Sequence, residues 1–527
     1  MSLSAPNCSL AEQHLRWAVQ EAETRYPATM ARPIRTVGIL GAGFTGSRIA
    51  ELAWQAGFCL VVADNQPDAL ERVSQMLVQA TAPRLSSQLP QGSGGTPSYC
   101  STPHGDAKVH GTIRRVNSSR LSLTRELTEL AQCDLVLECV SENLYLKQQL
   151  LSQVEAFVSC QTILATNTST IPLSRLAGAL KNPARFCGIH FFMPILDRPV
   201  VEVVRGGTSS AHTLATAIAF VRRLERVPLV VEDGPGFLGN RLLFAWLNEA
   251  FQLVEEGYLP SYIDRQAQDF GWQWGPFALM DWIGLDVVLA GAWQLAEIFE
   301  DRLVHSRLLL QMVKNGQLGR KTGLGFYRYR LSDGADGPSP PEALLPNPDL
   351  PLPGRQSSKL LCLPSGPTTS LREQNIFVAQ PTPNPFSPVR NHSPEGLVGR
   401  SGRQGDSSDC LQDGKVSYFY NGFPGANASW VDRLHVAILV EVEQMMQEGR
   451  WQDPRQVDVA LVGALGFPAH LGGLLLWADR IGLDRLLQRT VDCQQATFRR
   501  HSAYLRLWER ADLHKRYYPN CPELNCP

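Results

Sequence analysis

Residues 34–46 read Ile34-Arg-Thr-Val-Gly-Ile-Leu-Gly-Ala-Gly-Phe-Thr-Gly46. Ile34 to Leu40 is a short apolar run rich in branched residues, Gly41 to Gly46 is a tight Gly-rich turn, and Ser47 to Gly57 reads as a helix. Strand, turn and helix in that order form the opening unit of a dinucleotide-binding sheet. Gly41 permits the turn, Gly43 lets backbone approach a pyrophosphate, and Gly46 lets the helix pack close. A second apolar run, Leu60 to Ala63, ends in Asp64, about twenty positions after the glycines, where a carboxylate accepts from a ribose 2′-hydroxyl. A 2′-phosphate would be repelled there, so NAD is expected over NADP.

Working outward, Asp134 to Val140 supplies a further strand, and the alternation of strands and helices predicts an α/β domain with a parallel, doubly wound sheet over about 34–233. Residues 1–33 precede it as an extension. Residues 81–119, rich in Pro, Gly and Ser, read as a mobile insertion. From Gly234 to about 330 the pattern becomes helix-length and amphipathic, which predicts an all-helical domain. Residues 331–415 are crowded with Pro, Ser and Gly and read as a disordered linker. Order is expected to resume near Val416. There, Asp432-Arg-Leu, Glu441 and Glu448-Gly449 repeat Asn240-Arg-Leu, Glu249 and Glu256-Gly257 at a constant offset, and Asp479-Arg-Ile-Gly-Leu-Asp484 echoes Asp281-Trp-Ile-Gly-Leu-Asp286. A second helical domain over 416–527 is predicted, docked against the first to bury a shared face.

Composition narrows the function. A net charge of −1 gives no reason to expect nucleic acid or an acidic membrane surface as partner. No run approaches the roughly 18 apolar residues of a membrane helix. The twelve cysteines lack a CxxC pair, the nearest ligand-like spacing being Cys521 and Cys526, so neither zinc nor a disulfide framework is expected. Met1 to Arg35 carries Glu12, Glu21 and Glu23 with no flanked apolar core, which argues against a secretory signal. A reducing, cytoplasmic setting is the expectation.

The chemistry is carried by two apolar segments read as strands, Arg185 to Phe192 and Pro199 to Val204. In Val200-Val-Glu202-Val-Val204 a carboxylate interrupts a β-branched run, and burying it unpaired would cost several kcal/mol. An imidazole is its natural partner. A carboxylate on one ring nitrogen of His190 would fix the tautomer and stabilise the imidazolium formed when the other nitrogen takes a proton.

Beyond these residues, Glu138-Cys-Val-Ser-Glu142-Asn143 with Lys147, Asn167-Thr-Ser169, His190-Phe-Phe, Val201-Glu202-Val203, Pro235-Gly-Phe-Leu-Gly-Asn240-Arg241, Gly275-Pro-Phe277 and Gly319-Arg-Lys-Thr-Gly-Leu-Gly-Phe-Tyr327 follow in order. The ordered set resembles the NAD-dependent L-3-hydroxyacyl-CoA dehydrogenases over residues 34–330. The second helical stretch, with Gly466-Phe-Pro and Gly472-Gly473, resembles the extra C-terminal copy of the multifunctional fatty-acid oxidation enzymes, whose hydratase domain has no counterpart here. The resemblance implies a Rossmann-type sheet followed by helical domains of the 6-phosphogluconate-dehydrogenase type, an (S)-3-hydroxyacyl-CoA substrate and NAD. It implies His190 as general base, Glu202 as its orienting partner, Ser169 and Asn240 as holders of the reacting oxygen, and Glu142, Lys147 and Lys321 near the cofactor. It also implies a homodimer through the helical domain, or an internal docking that takes its place.

Each residue has a plainer structural reading. Ser169 would cap a helix starting near Pro172, Asn240 would cap the helix that follows it, and Glu142 with Lys147 would form a surface pair. Three departures from the family stand out. Met193 replaces the usual Asn, Pro83-Arg84-Leu-Ser-Ser87 replaces a lysine-rich stretch that grips CoA phosphates, and Arg48 replaces a helix glycine, a change expected to affect the cofactor pocket. The missing lysines leave room for a small free 3-hydroxy acid as substrate, and Met193 with the linker for a non-catalytic NAD-binding scaffold. Turnover of acyl-CoA, of free acid or of neither separates the three.

Overall fold

The structure, a computed structural model, describes residues 9–81, 120–299, 306–329, 345–347, 350, 430–493 and 496–519. The expected insertion at 81–119, with Arg84, lies outside the described residues except at its edge, as do most of the linker at 331–415 and the first residues after Val416. In chain order the elements are α1 (Leu10–Arg25), β1 (Thr36–Leu40), α2 (Phe44–Gln55), β2 (Cys59–Ala63), α3 (Pro67–Thr81), β3 (Leu121–Thr124), β4 (Leu135–Glu138), α4 (Leu144–Glu155), β5 (Ile163–Thr166), α5 (Leu173–Ala177), β6 (Phe186–Phe191), β7 (Val200–Arg205), α6 (Ala211–Arg223) and β8 (Val227–Glu232). Helices α7 (Gly239–Glu255), α8 (Pro260–Phe270), α9 (Pro276–Ile283), α10 (Leu285–Phe299) and α11 (Arg307–Lys314) follow, with the short pair β9 (Tyr327–Arg328) and β10 (Leu345–Pro346). The described chain then continues through α12 (Trp430–Gln447), α13 (Pro454–Val459), α14 (Leu474–Ile481), α15 (Leu483–Gln488) and α16 (Ser502–Asp512).

The sheet has eight strands in the order β3-β2-β1-β4-β5-β6-β7-β8. Its order reverses at β1, so the crevice where doubly wound sheets take their ligands lies between β1 and β4. The sheet is not wholly parallel as expected: β7 runs antiparallel to β6, and β8 pairs parallel with β7. The cause is the short connection at 192–199, because a parallel return needs a crossover of roughly a dozen residues or more. Apolar cores cover both faces: Val37 and Ile39 of β1 face one side and Leu40 the other, while Val201 and Val203 of β7 oppose Val200 and Val204. Strands buried on both faces read as continuous apolar runs, which is why they were legible.

Two segments expected to stand outside the folded domains are built into them. Helix α1 packs on β8 and α13 through a stripe of Ala11, His14, Ala18 and Ala22, and His14 Nδ1 lies 2.9 Å from the Gly472 carbonyl oxygen. Leu345–Pro346, inside the expected linker, pairs antiparallel with β9, and buried Asn347 donates to the Gly325 carbonyl at 2.8 Å. Each is held by specific packing or backbone pairing that composition does not display.

Helices α7 and α12 lie against each other, and their contact is reciprocal. Arg241 of α7 pairs with Glu441 and, at 2.9 Å, with Glu448. Arg433 of α12 pairs with Glu249, its Nε at 2.7 Å, and with Glu256 at 2.7 Å. The Glu249 carboxylate also accepts the Thr497 backbone N–H and hydroxyl. Each helical segment repeats a second internal device. Asp264 accepts the N–H groups of Phe277 and Ala278 and the Tyr327 hydroxyl, as Asp458 accepts those of Leu475, Leu476 and Tyr518. Burial pushes Asp264 and Asp458 up to about 7, against the pull of those donors.

Both arginines are 2% exposed or less and Glu249 and Glu441 are fully buried, so the seam depends on complete pairing. Arg433→Met is expected to destabilise the chain by about 3–5 kcal/mol by leaving Glu249 buried and unpaired. Adding Glu249→Gln, which removes the stranded charge, should recover part of the loss. Urea denaturation of the full chain measures both, and a single substitution without effect would contradict the seam.

Candidate functional site

The dinucleotide turn follows from three glycines with three distinct duties. Gly41 has φ +104°, and a Cβ there would sit 2.9 Å from the Cys139 backbone carbonyl carbon. At Gly46 a Cβ would fall 2.0 Å from the Gly41 carbonyl oxygen, so the helix can start tight against the turn only without a side chain. Gly43, the N-cap of α2, has open space where a Cβ would be, leaving its backbone approachable. Helix α2 begins at Phe44, earlier than the expected Ser47, so its free N–H groups face that space. Asp64, half-buried at the end of β2, accepts the Ala42 N–H at 2.6 Å and the Gln66 N–H at 2.8 Å. The turn therefore fits a dinucleotide pyrophosphate, with a carboxylate at the end of the next strand. Arg48 pairs with Glu51 of its own helix at 2.9 Å and reaches the Met76 sulfur of α3.

His190 and Glu202 are directly opposite in the antiparallel β6–β7 register, on the sheet face that carries α7. Imidazole Nδ1 lies 2.8 Å from Glu202 Oε2. The other carboxylate oxygen accepts the N–H of Gly239 at 2.8 Å and of Leu238 at 3.3 Å, at the start of α7. The helix N-terminus thus shares the buried charge. A Cβ at Gly239 would strike the Phe192 ring at 2.5 Å, so glycine is what lets the helix reach the carboxylate. Phe192 and Phe237 pack on the imidazole at centroid distances of 4.6 and 5.9 Å. Its Nε2 has no hydrogen-bond partner among the described residues.

Ser169 and Asn240 come together from different domains: the Asn240 side-chain N–H donates to the Ser169 carbonyl at 2.8 Å. Neither is a helix cap. Helix α5 has Pro172 at its N-cap, and its first N–H groups, Leu173 and Ser174, are taken by Asp233. The loop bearing Ser169 hangs on Glu142, whose Oε1 accepts from the Thr168 hydroxyl (2.6 Å), the Ser169 N–H (2.9 Å), the Thr170 N–H and the Thr170 hydroxyl (both 3.0 Å).

Glu142 and Lys147 are not the surface pair of the plainer reading. Lys147 is 1% exposed, and its ammonium meets both oxygens of Glu138 (2.8 and 3.0 Å), the Val140 carbonyl and Glu142 at 3.3 Å. Burial pushes Glu142 up, but Lys147 and the loop donors outweigh it and hold the carboxyl below its usual range. Burial depresses Lys147, and the two glutamates more than reverse that. Sequence reasoning missed Glu138, fully buried, which also accepts the Thr166 hydroxyl at 2.7 Å. A carboxylate ending an apolar strand was the same signal that exposed Glu202.

Lys321 stands apart from this cluster. It is exposed on a short turn at Arg320–Thr322 and paired with Asp286, while the neighbouring Arg320 lies 4.7 Å over the Trp282 ring. Trp282 in turn meets Phe44 of the dinucleotide turn at 6.4 Å. Met193, half-buried beyond His190, uses its carbonyl to accept from Arg198 Nε at 3.3 Å. Among the described residues no group of three or more His, Cys, Asp or Glu could hold a metal, and no single helix is long and apolar enough to cross a membrane.

Comparison with known proteins places the chain. Residues 36–234 match the family described as 3-hydroxyacyl-CoA dehydrogenase, NAD binding domain, and residues 236–329 match its C-terminal domain. The fatty acid oxidation complex subunit alpha of Psychrobacter arcticus is 29% identical over 459 residues, covering 87% of this chain and 52% of that protein, so the chain spans about half the length of the curated relatives it matches. The crystal structure of (S)-3-hydroxybutyryl-CoA dehydrogenase from Ralstonia eutropha is 32% identical and covers 56% of this chain and 100% of its own, with a TM-score of 0.46. That of 3-hydroxybutyryl-CoA dehydrogenase from Escherichia coli K12, at 22% identity and a TM-score of 0.59, shares the fold over 92% of this chain and 99% of its own. With an NAD-binding domain and its helical partner matched end to end over more than half of the sequence, the chain belongs to the 3-hydroxyacyl-CoA dehydrogenase family.

Proposed function

We propose that the protein oxidises the 3-hydroxyl of an (S)-3-hydroxyacyl-CoA to the 3-oxo group with NAD as acceptor. The observation that carries this reading is the buried His190–Glu202 pair, with Nε2 unpartnered among the described residues, on the sheet that holds the dinucleotide turn. NAD supplies the acceptor for the hydride from C3. His190 Nε2 takes the hydroxyl proton as the C–O bond gains its second bond, and Glu202, held by the head of α7, stabilises the imidazolium. The Ser169 hydroxyl and the Asn240 amide, brought together by the Asn240–Ser169 bond, hold the reacting oxygen as alcohol and as carbonyl. Asp64 would hold the ribose hydroxyls of a bound NAD. Glu142 and Lys147 would serve the cofactor side by fixing the Ser169 loop, and Lys321 would bind on that side from the helical domain.

We further propose that residues 430–519 are a second copy of the helical domain, docked on the first in place of a partner subunit. The reciprocal pairing of Arg241 with Glu441 and Glu448, and of Arg433 with Glu249 and Glu256, supports it, as do the matching carboxylate devices at Asp264 and Asp458. A monomer with an acyl-CoA substrate, in a reducing cytoplasm that suits the free cysteines among the described residues, completes the reading.

NADH formation from NAD and a 3-hydroxyacyl-CoA is the test, with His190→Ala as control. Loss of the base should lower kcat by about 10²–10⁴-fold. Turnover only of free 3-hydroxy acids would move the reading to that substrate class, and NAD binding without any turnover would make the protein a scaffold. Glu142→Ala, which removes the acceptor of four donors on the Ser169 loop, should lower kcat/KM about a hundredfold. Glu142→Gln keeps an acceptor oxygen and should retain more; wild-type rates in both would sink the loop's assigned role.

A further inference from the structure

A buried guanidinium is costly unless carboxylates answer it, and Arg241 and Arg433 of the α7–α12 seam are each answered by two glutamates. Arg198 is not. It is 4% exposed, no carboxylate is among its hydrogen-bond partners, and its Nη2 has no partner among the described residues. Burial pushes the group down to about 10, with the neighbouring Asp197 pulling the other way. A buried donor left open is a standing cost, so its retention has to be explained by what the other nitrogens hold.

Those nitrogens reach in two directions. Nε donates to the Met193 carbonyl at 3.3 Å, across the 192–199 connection that follows His190. Phe192, next to Met193, packs on the imidazole and fills the space a Cβ on Gly239 would need, so it stands between the base and an N–H that holds Glu202. On the other side Nη1 donates to Gln273 Oε1 at 2.6 Å, in the turn between α8 and α9. The Gln273 N–H donates to the Gly466 carbonyl at 3.0 Å, in the segment that links α13 to α14. Gly466 has φ +84°, and a Cβ there would lie 2.8 Å from Nη1, so the second helical segment comes this close to the guanidinium only through a glycine. The same segment touches the start of β7, where a Cβ on Gly463 would fall 2.2 Å from Val200 Cγ2. One side chain therefore ties the connection after His190 to both helical segments.

We infer that Arg198 is a positioning residue that uses the docked second helical segment to hold Phe192 and Met193 against His190, which makes that segment part of the site's architecture. The inference rests on the reading of His190 as the base of the proposed oxidation. Arg198 acts on turnover rather than on cofactor affinity, because the dinucleotide turn is built on β1 and α2, outside this network. A buried charge kept for positioning has a signature that one kept for stability lacks. Replacing it with an apolar side chain of similar length leaves stability unchanged or raised while turnover falls.

The test is Arg198→Met in the full chain. Its kcat for 3-hydroxyacyl-CoA oxidation should fall about ten- to a hundredfold, with KM for NAD within about twofold and the urea midpoint equal or higher. Arg198→Lys, which keeps a cationic donor, should recover part of kcat. Gln273→Ala should lower kcat in the unsubstituted chain and have no further effect in Arg198→Met, because the two residues act through one hydrogen bond. Unchanged kcat in Arg198→Met would overturn the inference, as would a loss of kcat that comes with a lower urea midpoint, or a Gln273→Ala effect that adds in full. Amide exchange over residues 191–199, followed by mass spectrometry, separates this role from the reaction. Faster exchange there in Arg198→Met and in Gln273→Ala, with residues 41–46 unaltered, would sustain the role of Arg198 even if no 3-hydroxyacyl-CoA were turned over, and the dehydrogenase reading alone would then fall. Unaltered exchange over 191–199 would overturn the inference whatever the turnover.

Discussion

Glu202 is the carboxylate on which two domains close. It is fully buried in a run of valines, where a carboxylate left without partners would be costly to desolvate. One oxygen is answered by His190 from the neighbouring strand and the other by the N–H groups of Leu238 and Gly239 from the helical domain. The interaction that orients the imidazole is therefore the same one that seats α7, and with α7 comes Asn240. A helix displaced by an ångström would release the imidazole and misplace the amide together.

A second set of buried charges lies behind the first. Lys147 pairs with Glu138 and Glu142 beneath the Ser169 loop, and Arg241 and Arg433 pair with four glutamates at the α7–α12 seam. Such pairs contribute little net stability compared with apolar residues of the same shape, but each is costly to break singly, so they fix one arrangement against its neighbours. The site is thus supported from the sheet side by a lysine and from the helix side by an arginine adjacent in sequence to Asn240.

Much of this was legible. The glycines at 41, 43 and 46 and the carboxylate at Asp64 could be read because turn geometry and strand alternation are local. Glu202 could be read because a charge in a β-branched run demands a partner, and by the same rule Glu138 was readable and was passed over. The antiparallel β7 was implicit in the short connection at 192–199. Ser169 and Asn240 were another matter: polar residues at element ends cap helices far more often than they hold substrates, and only their order among other motifs singled them out. Helix α1 hid because its buried stripe is mostly alanine, and Leu345–Pro346 because two paired residues leave no period in a Pro-rich stretch. The constant offset between residues 240–257 and 432–449 predicts a repeat, but no periodicity reveals that an arginine in one segment answers glutamates in the other.

That exchange has a thermodynamic consequence. In an assembly of separate chains, a seam built from two arginines and four glutamates would form with an affinity, and would come apart whenever the protein became scarce. Here α7 and α12 belong to one covalent chain, so the seam forms in a concentration-independent step, and the energy that two molecules would spend on lost translational freedom is never required. The position of α7, and with it the geometry around Asn240, is therefore insensitive to dilution.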